Sequence, residues 1–280
     1  MPALGGLPSL KHLRLEDVRN VKKLPAHVPF GSLEELYFGG MYEWEEWEPS
    51  DDAAAGGGIC FFPRLRKLYL NYCPKLKGRL PSNLPSLKEL LIGACSSLVE
   101  LNGCHRHRQV VDLKIAGCGP RLANSCLVDM RLGMFPHLQR LEIGDCDSFE
   151  CFPADDSLPT SLTYLEILGF TRLKKLDVFW LRSLTNLEEL VIEWCPLLES
   201  LGYSSDVDDC SSLRVLRVWG CENLKTINGA WLRSFTSLKR LILGWNHPDL
   251  KERCKRDTGP DWPNIAHVPE IYIANVPDIR

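Results

Sequence analysis

Several features that are common in secreted and membrane-bound proteins are missing from this sequence. It has no apolar run long enough to span a bilayer, no signal peptide at its start and no Asn-x-Ser/Thr acceptor for N-glycosylation. Acidic and basic residues are well mixed and give a formal net charge of −3, so nothing favours nucleic acid or an anionic membrane as partner. We therefore expect a soluble chain that resides in the cytoplasm, and also in the nucleus if it is part of a longer protein.

The sequence also lacks the motifs of common cofactor sites. No Gly-x-x-x-x-Gly-Lys-Ser/Thr loop is present that could cradle a phosphate. A zinc site could be drawn from Cys104, His105 and His107 with Cys118 and Cys126. These residues lack the second paired motif that zinc sites usually have. The simpler interpretation of the segment is a basic loop exposed to solvent. We expect neither a metal nor a cofactor in this chain.

Catalytic machinery is equally sparse. Glu142, Glu166 and Glu193 recur along the chain and could suggest a row of catalytic carboxylates. They occupy positions where an exposed strand ordinarily carries charge, and no nucleophile, base or glycine-rich cradle accompanies them. We therefore predict that the chain is not an enzyme.

What the chain has instead is a repeated pattern of aliphatic residues. Residues 187–201, LEELVIEWCPLLESL, place apolar residues at offsets zero, three, five, eight, eleven and fourteen. The alternation around Leu190 and Ile192 predicts a strand, and the wider spacings require the chain to turn so that these side chains share one axis. The same pattern starts again at Leu87, Leu138 and Leu213. It is the leucine-rich-repeat pattern, so the sequence predicts an α/β leucine-rich-repeat solenoid.

The repeats also predict the organisation of this solenoid. We expect a curved horseshoe with a concave parallel sheet of about eleven short strands and irregular convex returns. A single leucine-rich-repeat domain should cover residues 1–280, as a fragment of a larger protein that starts in mid-array. Residues 246–280 should form a C-terminal insert and cap, with a short helix from Leu250 to Arg256 and a final strand.

The twelve cysteines are explained by the repeat. Six of them fall at offset eight, the position that Asn often holds in such repeats: Cys73, Cys95, Cys118, Cys146, Cys195 and Cys221. A free Cys behaves as a small buried hydrophobe. We therefore expect a ladder of buried thiols.

Three segments are more specific than the leucine spacing. They are MYEWEEWEP, FFPRLRKLYLNYCPKLKGRLPSNLPSLKELLIGAC and LKERCKRDTGPDWPNIAHVPEIYI. With them the chain resembles the C-terminal leucine-rich-repeat region of plant coiled-coil NB-ARC disease-resistance proteins. The resemblance implies a recognition domain that senses a pathogen or pest effector and restrains the nucleotide-binding module by intramolecular contact. It also implies that ADP or ATP is bound by an NB-ARC module of the full-length protein, which this chain does not contain.

Other binding classes share the repeat pattern. A substrate-recognition domain of a ubiquitin-ligase adaptor, or another leucine-rich-repeat scaffold for protein binding, remains open as an alternative. An extracellular receptor ectodomain is disfavoured, because it would need a signal peptide, glycosylation acceptors and more regular turns.

The repeat register predicts a protein-binding surface. Residues at offsets four, six and seven should project outward from the strands, and aromatic residues are concentrated there on three consecutive turns. Exposed Trp and aliphatic side chains rimmed by Arg and Glu match the composition of binding hot spots. An alternative is that residues 246–264 fold over these rings and bury them. The predicted protein-binding residues are Trp194, Trp219, Trp245, Val191, Arg217, Ile242 and Glu193, with Tyr69 and Tyr72 as a secondary contact.

Overall fold

A computed structural model shows how the repeats are built. It describes residues 7–25, 30–48, 60–77, 80–81, 83–98, 108–119, 122, 132, 135–145, 150, 152, 158–176, 179–202, 212–245 and 247–274. The chain divides into two compact units, Met1–Leu138 and Gln139–Arg280.

The first unit contains one main parallel sheet and a smaller one. Its strands are β1 His12–Glu16, β2 Lys23–Pro25, β3 Glu35–Gly39, β4 Glu46–Glu48, β5 Lys67–Asn71, β6 Glu89–Gly93 and β7 Asp112–Ala116. The five longer strands pair in parallel in the order β1-β3-β5-β6-β7, while β2 pairs with β4. Sequential parallel neighbours are what a repeat structure requires, because each turn returns the chain to the same edge.

The second unit follows the same plan with six longer strands. Its strands are β8 Arg140–Gly144, β9 Tyr164–Leu168, β10 Lys175–Leu176, β11 Glu189–Glu193, β12 Ser200–Leu201, β13 Val215–Trp219, β14 Thr226–Ile227, β15 Arg240–Gly244 and β16 Glu270–Ala274. The longer strands pair in the order β8-β9-β11-β13-β15-β16, and the short ones form a second sheet β10-β12-β14. In the described residues the two units together have eleven longer strands, so the predicted number is confirmed.

The strand register follows the leucine pattern without a slip. Leu190 of β11 lies beside Leu165 on one side and Leu216 on the other, and Ile192 beside Ile167 and Val218. These inward side chains are almost completely buried. Full burial of each such aliphatic residue is worth about 1.5 to 3 kcal/mol, so the column of leucines fixes which face is inside.

The offset-eight cysteines are buried free thiols wherever the structure describes them, as predicted. Each thiol donates to the carbonyl at the end of its own strand, for example Cys95 to Gly93 at 3.3 Å and Cys221 to Trp219 at 3.6 Å. The cysteine thus fills an apolar position of the core, and its thiol also supplies a weak hydrogen-bond donor to the carbonyl at the strand end. Cys146 lies outside the described residues.

Aromatic residues fill the core where the second turn of the first unit returns. Trp44 and Trp47 are buried, and their rings lie 5.4 Å apart with Phe38 and Phe62 against them. The Trp44 indole N–H donates to the carbonyl of Glu46 at 2.8 Å. The acidic segment MYEWEEWEP therefore supplies a core side chain at every third position, Met41, Trp44 and Trp47.

The second unit carries short helices in its return segments. They are a 3₁₀ helix Phe179–Ser183 and the α-helices α1 Gly229–Ser234, α2 Pro248–Arg253 and α3 Trp262–Ile265. The helix predicted for 250–256 thus starts two residues earlier and ends three earlier, because Pro248 suits the first turn and the His247 ring accepts from the Asp249 N–H as a cap. Arg253 donates twice to the buried Asp261 carboxylate, at 2.6 and 2.8 Å, and ties α2 to the start of α3. No helix in the described part of the chain is long and apolar enough to cross a membrane.

Candidate protein-binding site

Three tryptophan side chains meet on the outward face of the sheet in the second unit. Trp219 is the last residue of β13, while Trp194 and Trp245 directly follow β11 and β15. The Trp245 ring lies 5.7 Å from that of Trp194, edge to face, and 5.6 Å from that of Trp219. We call Trp194, Trp219 and Trp245 the tryptophan patch. The structure thus brings together the three residues that the repeat register selected.

Glycines in the neighbouring strands make room for the rings. The Trp194 ring lies over Gly220, where an added Cβ would come within 2.8 Å of its Cε3 atom. The Trp219 ring lies against Gly244 in the same way. Trp194 and Trp219 thus cover glycine backbone of the neighbouring strand and still present a surface to solvent. Trp194 is 46% exposed, and Trp219 and Trp245 are partly exposed.

The described part of the C-terminal segment leaves these rings uncovered. Helix α2 packs beside β14 and helix α3 beside α1, which places both helices among the return segments. The alternative in which residues 246–264 bury the rings therefore does not hold for its described residues, 247–264.

The residue at offset seven has a left-handed backbone in every turn where the structure describes it. The residues with this positive φ are Asp17, Gly40, Tyr72, Ala94, Gly117, Asp145, Gly169, Trp194, Gly220 and Trp245. Their N–H groups continue the ladder to the next strand, as from Trp194 to the Trp219 carbonyl at 2.8 Å. Glycine adopts this conformation without cost, and a bulky residue does not. Sequence reasoning missed this, although glycine and aspartate at the same offset were the available signal.

Two of the three patch tryptophans therefore sit in a strained conformation. Trp194 has φ 55° and Trp245 has φ 53°, and Tyr72 of the secondary contact has φ 55°. Strain of this kind costs about 1 to 3 kcal/mol and is concentrated at functional sites. Large aromatic side chains therefore occupy three positions whose backbone favours glycine.

Val191 is the one predicted site residue that the structure removes from the surface. It was expected to project outward at offset four, but it is only 1% exposed. It lies between Glu166 and Arg217 in the neighbouring strands. The longer flanking side chains cover the short valine, so it supports the patch from beneath and offers almost no surface to a partner. Ile242, in contrast, is partly exposed as predicted.

An acidic and a basic side chain border the patch. The Arg217 Nη1 atom lies 3.6 Å from Glu193 Oε1, and both side chains are partly exposed. Burial raises the pKa of the Glu193 carboxyl above its usual value, and repulsion from Glu166 adds to this, while Arg217 opposes it. Glu193 is thus a partly buried carboxyl with one cationic neighbour, Arg217.

The predicted secondary contact lies in the first unit. The Tyr69 hydroxyl donates to Glu89 at 2.7 Å, and its ring lies 6.4 Å from that of Tyr37. Burial and this hydrogen bond raise the pKa of Tyr69. Tyr72 is 57% exposed. Tyr69 is thus fixed by a neighbour, and Tyr72 is the freer of the two for a contact.

The end of the second unit contains a cavity that the repeat pattern did not predict. It has a volume of about 650 Å³ and its lining includes Lys255, Arg256, Trp262, Ile271 and Ile273. Ile271 and Ile273 are only partly buried, whereas the matching Leu241 and Leu243 of β15 are buried. The cavity exists because no described strand continues the sheet beyond β16.

Of the five residues considered for a zinc site, the structure describes one. Cys104, His105, His107 and Cys126 lie outside the described residues, and Cys118 is a buried member of the thiol ladder. Within the described ranges no three His, Cys, Asp or Glu side chains are grouped as metal ligands.

Comparison with known proteins agrees with this architecture. Disease resistance RPP13-like protein 1 of Arabidopsis thaliana is 32% identical over 163 residues, which is 53% of this chain and 15% of that protein. A second Arabidopsis thaliana disease resistance protein is 38% identical over 108 residues, 34% of this chain and 7% of that protein. The chain thus spans a small part of the length of the relatives it matches. No family model matches it.

The solved structures match the fold. A crystal structure of an internalin, InlF, from Listeria monocytogenes superposes with a TM-score of 0.50 at 17% identity, covering 98% of this chain and 84% of that one. The parallel strands with their leucine ladder define a leucine-rich-repeat protein. The relatives identify the class of leucine-rich-repeat protein. The chain is a leucine-rich-repeat region homologous to those of plant disease-resistance proteins, so the resemblance stated above is confirmed.

Proposed function

We propose that this chain is the recognition domain of an intracellular plant immune receptor. It binds a pathogen or pest effector protein through the tryptophan patch, and it also restrains a nucleotide-binding NB-ARC module of the same longer protein by intramolecular contact. The homology to disease-resistance proteins supports the setting, and the leucine-rich-repeat fold supports binding to a protein.

The observation that carries this proposal is the solvent contact of three clustered tryptophans. Tryptophan is among the residues most enriched in binding hot spots, where truncation to alanine commonly costs more than 2 kcal/mol of binding free energy. The patch residues also sit beside Arg217 and Glu193, which would form a polar rim. A chain that used these rings only for folding would bury them, as it buries Trp44 and Trp231.

The proposal assigns no chemistry to the chain itself. The relatives extend well beyond the matched region, and the nucleotide, ADP or ATP, belongs to the NB-ARC module that we place elsewhere in the longer protein. The recognition domain acts by binding alone, without catalysis.

Truncating the patch tests this function. Trp219→Ala and Trp245→Ala should each weaken binding to an effector by more than about 1 kcal/mol while the melting temperature changes little. Binding is measured by biolayer interferometry with purified effector candidates, and association with the NB-ARC module by co-expression in two pieces.

Leu197→Ala is the matched control. Leu197 is an apolar residue of the same unit with 41% exposure, and it lies in a return segment away from the sheet face. The proposal fails if the tryptophan variants bind an authentic effector as well as the control does. It also fails if both variants simply unfold, because the rings are then structural.

A further inference from the structure

Elsewhere on the outward sheet face, two tyrosine rings are covered by arginines of the same chain. The Arg14 guanidinium lies 4.3 Å from the centre of the Tyr37 ring, and that of Arg140 lies 3.5 Å from the Tyr164 ring. Each is a cation stacked on an aromatic face, an attraction that strengthens when water is excluded. In the described ranges no arginine or lysine stacks on Trp194, Trp219 or Trp245 in this way. The three largest rings of the face therefore have no stacked cation within the described residues.

The surrounding charge favours a cation as well. The charged residues of strands β9, β11, β13, β15 and β16 are Glu166, Glu189, Glu193 and Glu270 against Arg217 and Arg240. Both arginines are already paired, Arg217 with Glu193 at 3.6 Å and Arg240 with Glu270 at 2.6 Å. Within the described part of the chain, neither Glu166 nor Glu189 pairs with a lysine or arginine. The face next to the patch is therefore net negative.

The Arg140 arrangement shows how this protein completes such a site. Its guanidinium stacks on Tyr164 and at the same time lies 2.7 Å from the Glu142 carboxylate. The ring binds the face of the guanidinium, and the carboxylate accepts hydrogen bonds from its N–H groups. Trp194 and Glu193 are adjacent residues that offer the same pair of groups. The distance between Glu193 and Arg217, 3.6 Å, is longer than the 2.7 Å between Arg140 and Glu142. The Glu193 carboxylate can therefore accept a hydrogen bond from a second cation.

We propose that the tryptophan patch receives an arginine side chain from a positively charged segment of the protein partner. The guanidinium stacks on the exposed Trp194 ring and pairs with Glu193, while Glu166 adds negative potential. This assignment rests on the proposed function and names the chemistry of the partner at that site. Arginine fits better than lysine because its planar fork can stack on a ring and still donate to a carboxylate.

A peptide comparison on the full 280-residue chain tests the assignment. The probe is a short peptide of alternating glycine and arginine, and its match has citrulline, which keeps the shape of arginine without its charge. Binding is followed by tryptophan fluorescence and by the indole N–H signals in NMR at physiological ionic strength. We expect saturable binding of the arginine peptide, and binding about tenfold weaker for the citrulline peptide. A lysine peptide should fall between them.

Substitutions in the chain distinguish stacking of arginine on Trp194 from non-specific electrostatic attraction of the peptide. Trp194→Leu and Glu193→Gln should each weaken binding of the arginine peptide several-fold, and Trp194→Phe should retain more binding than Trp194→Leu. Glu199→Gln removes an equal charge from an exposed return position and should have little effect. Thermal melts of all variants show whether each remains folded.

The outcomes distinguish this inference from the proposed function. Equal binding of arginine and citrulline peptides, no binding of either, or equal loss in Glu199→Gln and Glu193→Gln overturns the arginine assignment. The proposed function survives any of these results if Trp219→Ala still weakens binding of an effector. If Trp219→Ala leaves effector binding intact, the proposed function falls, whatever the peptides do.

Discussion

Ala94 shows the cost of the left-handed position in its simplest form. It has φ 49° at offset seven and no ring that could offset the strain by packing. The left-handed conformation costs a residue with a Cβ about 1 to 2 kcal/mol, whereas the extra unfolded-state freedom of glycine costs about 0.5 to 1 kcal/mol. Ala94→Gly should therefore raise the free energy of unfolding by up to about 1 kcal/mol, measured by urea denaturation.

The control for Ala94→Gly lies one turn further along the chain. Ala116 ends strand β7 in the same unit and has no positive φ. Ala116→Gly should lower stability by about 0.5 to 1 kcal/mol, because glycine in a strand brings only its entropic cost. Destabilisation by both substitutions would show that the left-handed strain is not significant.

At the residue scale, the sequence predicted the patch better than it predicted its surroundings. The repeat offsets alone selected Trp194, Trp219 and Trp245. Strand alternation accounts for the outward direction of Trp219 at offset six, whereas Trp194 and Trp245 at offset seven follow their strands in a left-handed backbone. The burial of Val191 could not be predicted in this way, since it depends on how the side chains of Glu166 and Arg217 extend across the sheet. The left-handed backbone was hidden because its column mixes glycine and aspartate with alanine and aromatics.

Strand β11 is the element on which the repeat register can be tested directly. Leu190 is fully buried between Leu165 and Leu216, and its neighbour Glu189 faces outward. Leu190→Asp removes an aliphatic side chain from the core and buries a carboxylate, so it should lower the free energy of unfolding by more than about 4 kcal/mol. Glu189→Ala should change it by less than about 0.5 kcal/mol.

Urea denaturation of these two variants provides the measurement. Similar stabilities for Leu190→Asp and Glu189→Ala would show that the inward and outward faces are assigned wrongly. Circular dichroism on both variants in the absence of urea shows whether the aspartate variant retains the fold at all.

At the element scale, long strands were predictable and short returns were not. Each strand of the main face has five residues that alternate between the core and the surface, which is enough to define a period. Strands β10, β12 and β14 have two residues each, too few to show alternation. Helix α1 could have been detected from Asn228, whose side chain accepts from the Trp231 N–H as an N-cap.

At the scale of the whole molecule, the proposed function places nucleotide binding outside this chain. The sequence has no phosphate loop, the segment of backbone N–H groups at a helix start that holds the phosphates in P-loop nucleotide sites. We predict that the 280-residue chain binds neither ATP, ADP nor zinc in isothermal titration calorimetry. A longer version of the protein that includes the proposed NB-ARC module is the positive control for nucleotide. Stoichiometric binding of nucleotide or zinc to the short chain would contradict the prediction.

Two predictions concern the whole chain. They are the single domain over residues 1–280 and the curvature of the horseshoe. The register explains the fold within each of the two units, Met1–Leu138 and Gln139–Arg280. Curvature follows from differences in length between the strand side and the return side of each turn, and the leucine spacing fixes only the strand side.

The left-handed column also has a genetic consequence. The tryptophan codon TGG becomes the glycine codon GGG by a single nucleotide change, and at positions 194 and 245 glycine is the residue that the backbone favours. Relief of backbone strain then offsets part of the lost ring packing, so folding offers only weak purifying selection against such an allele. Trp219, in an ordinary strand, has no such relief. Under the proposed function, glycine alleles at 194 and 245 should therefore be more frequent in populations where the partner is absent than in populations where it is present.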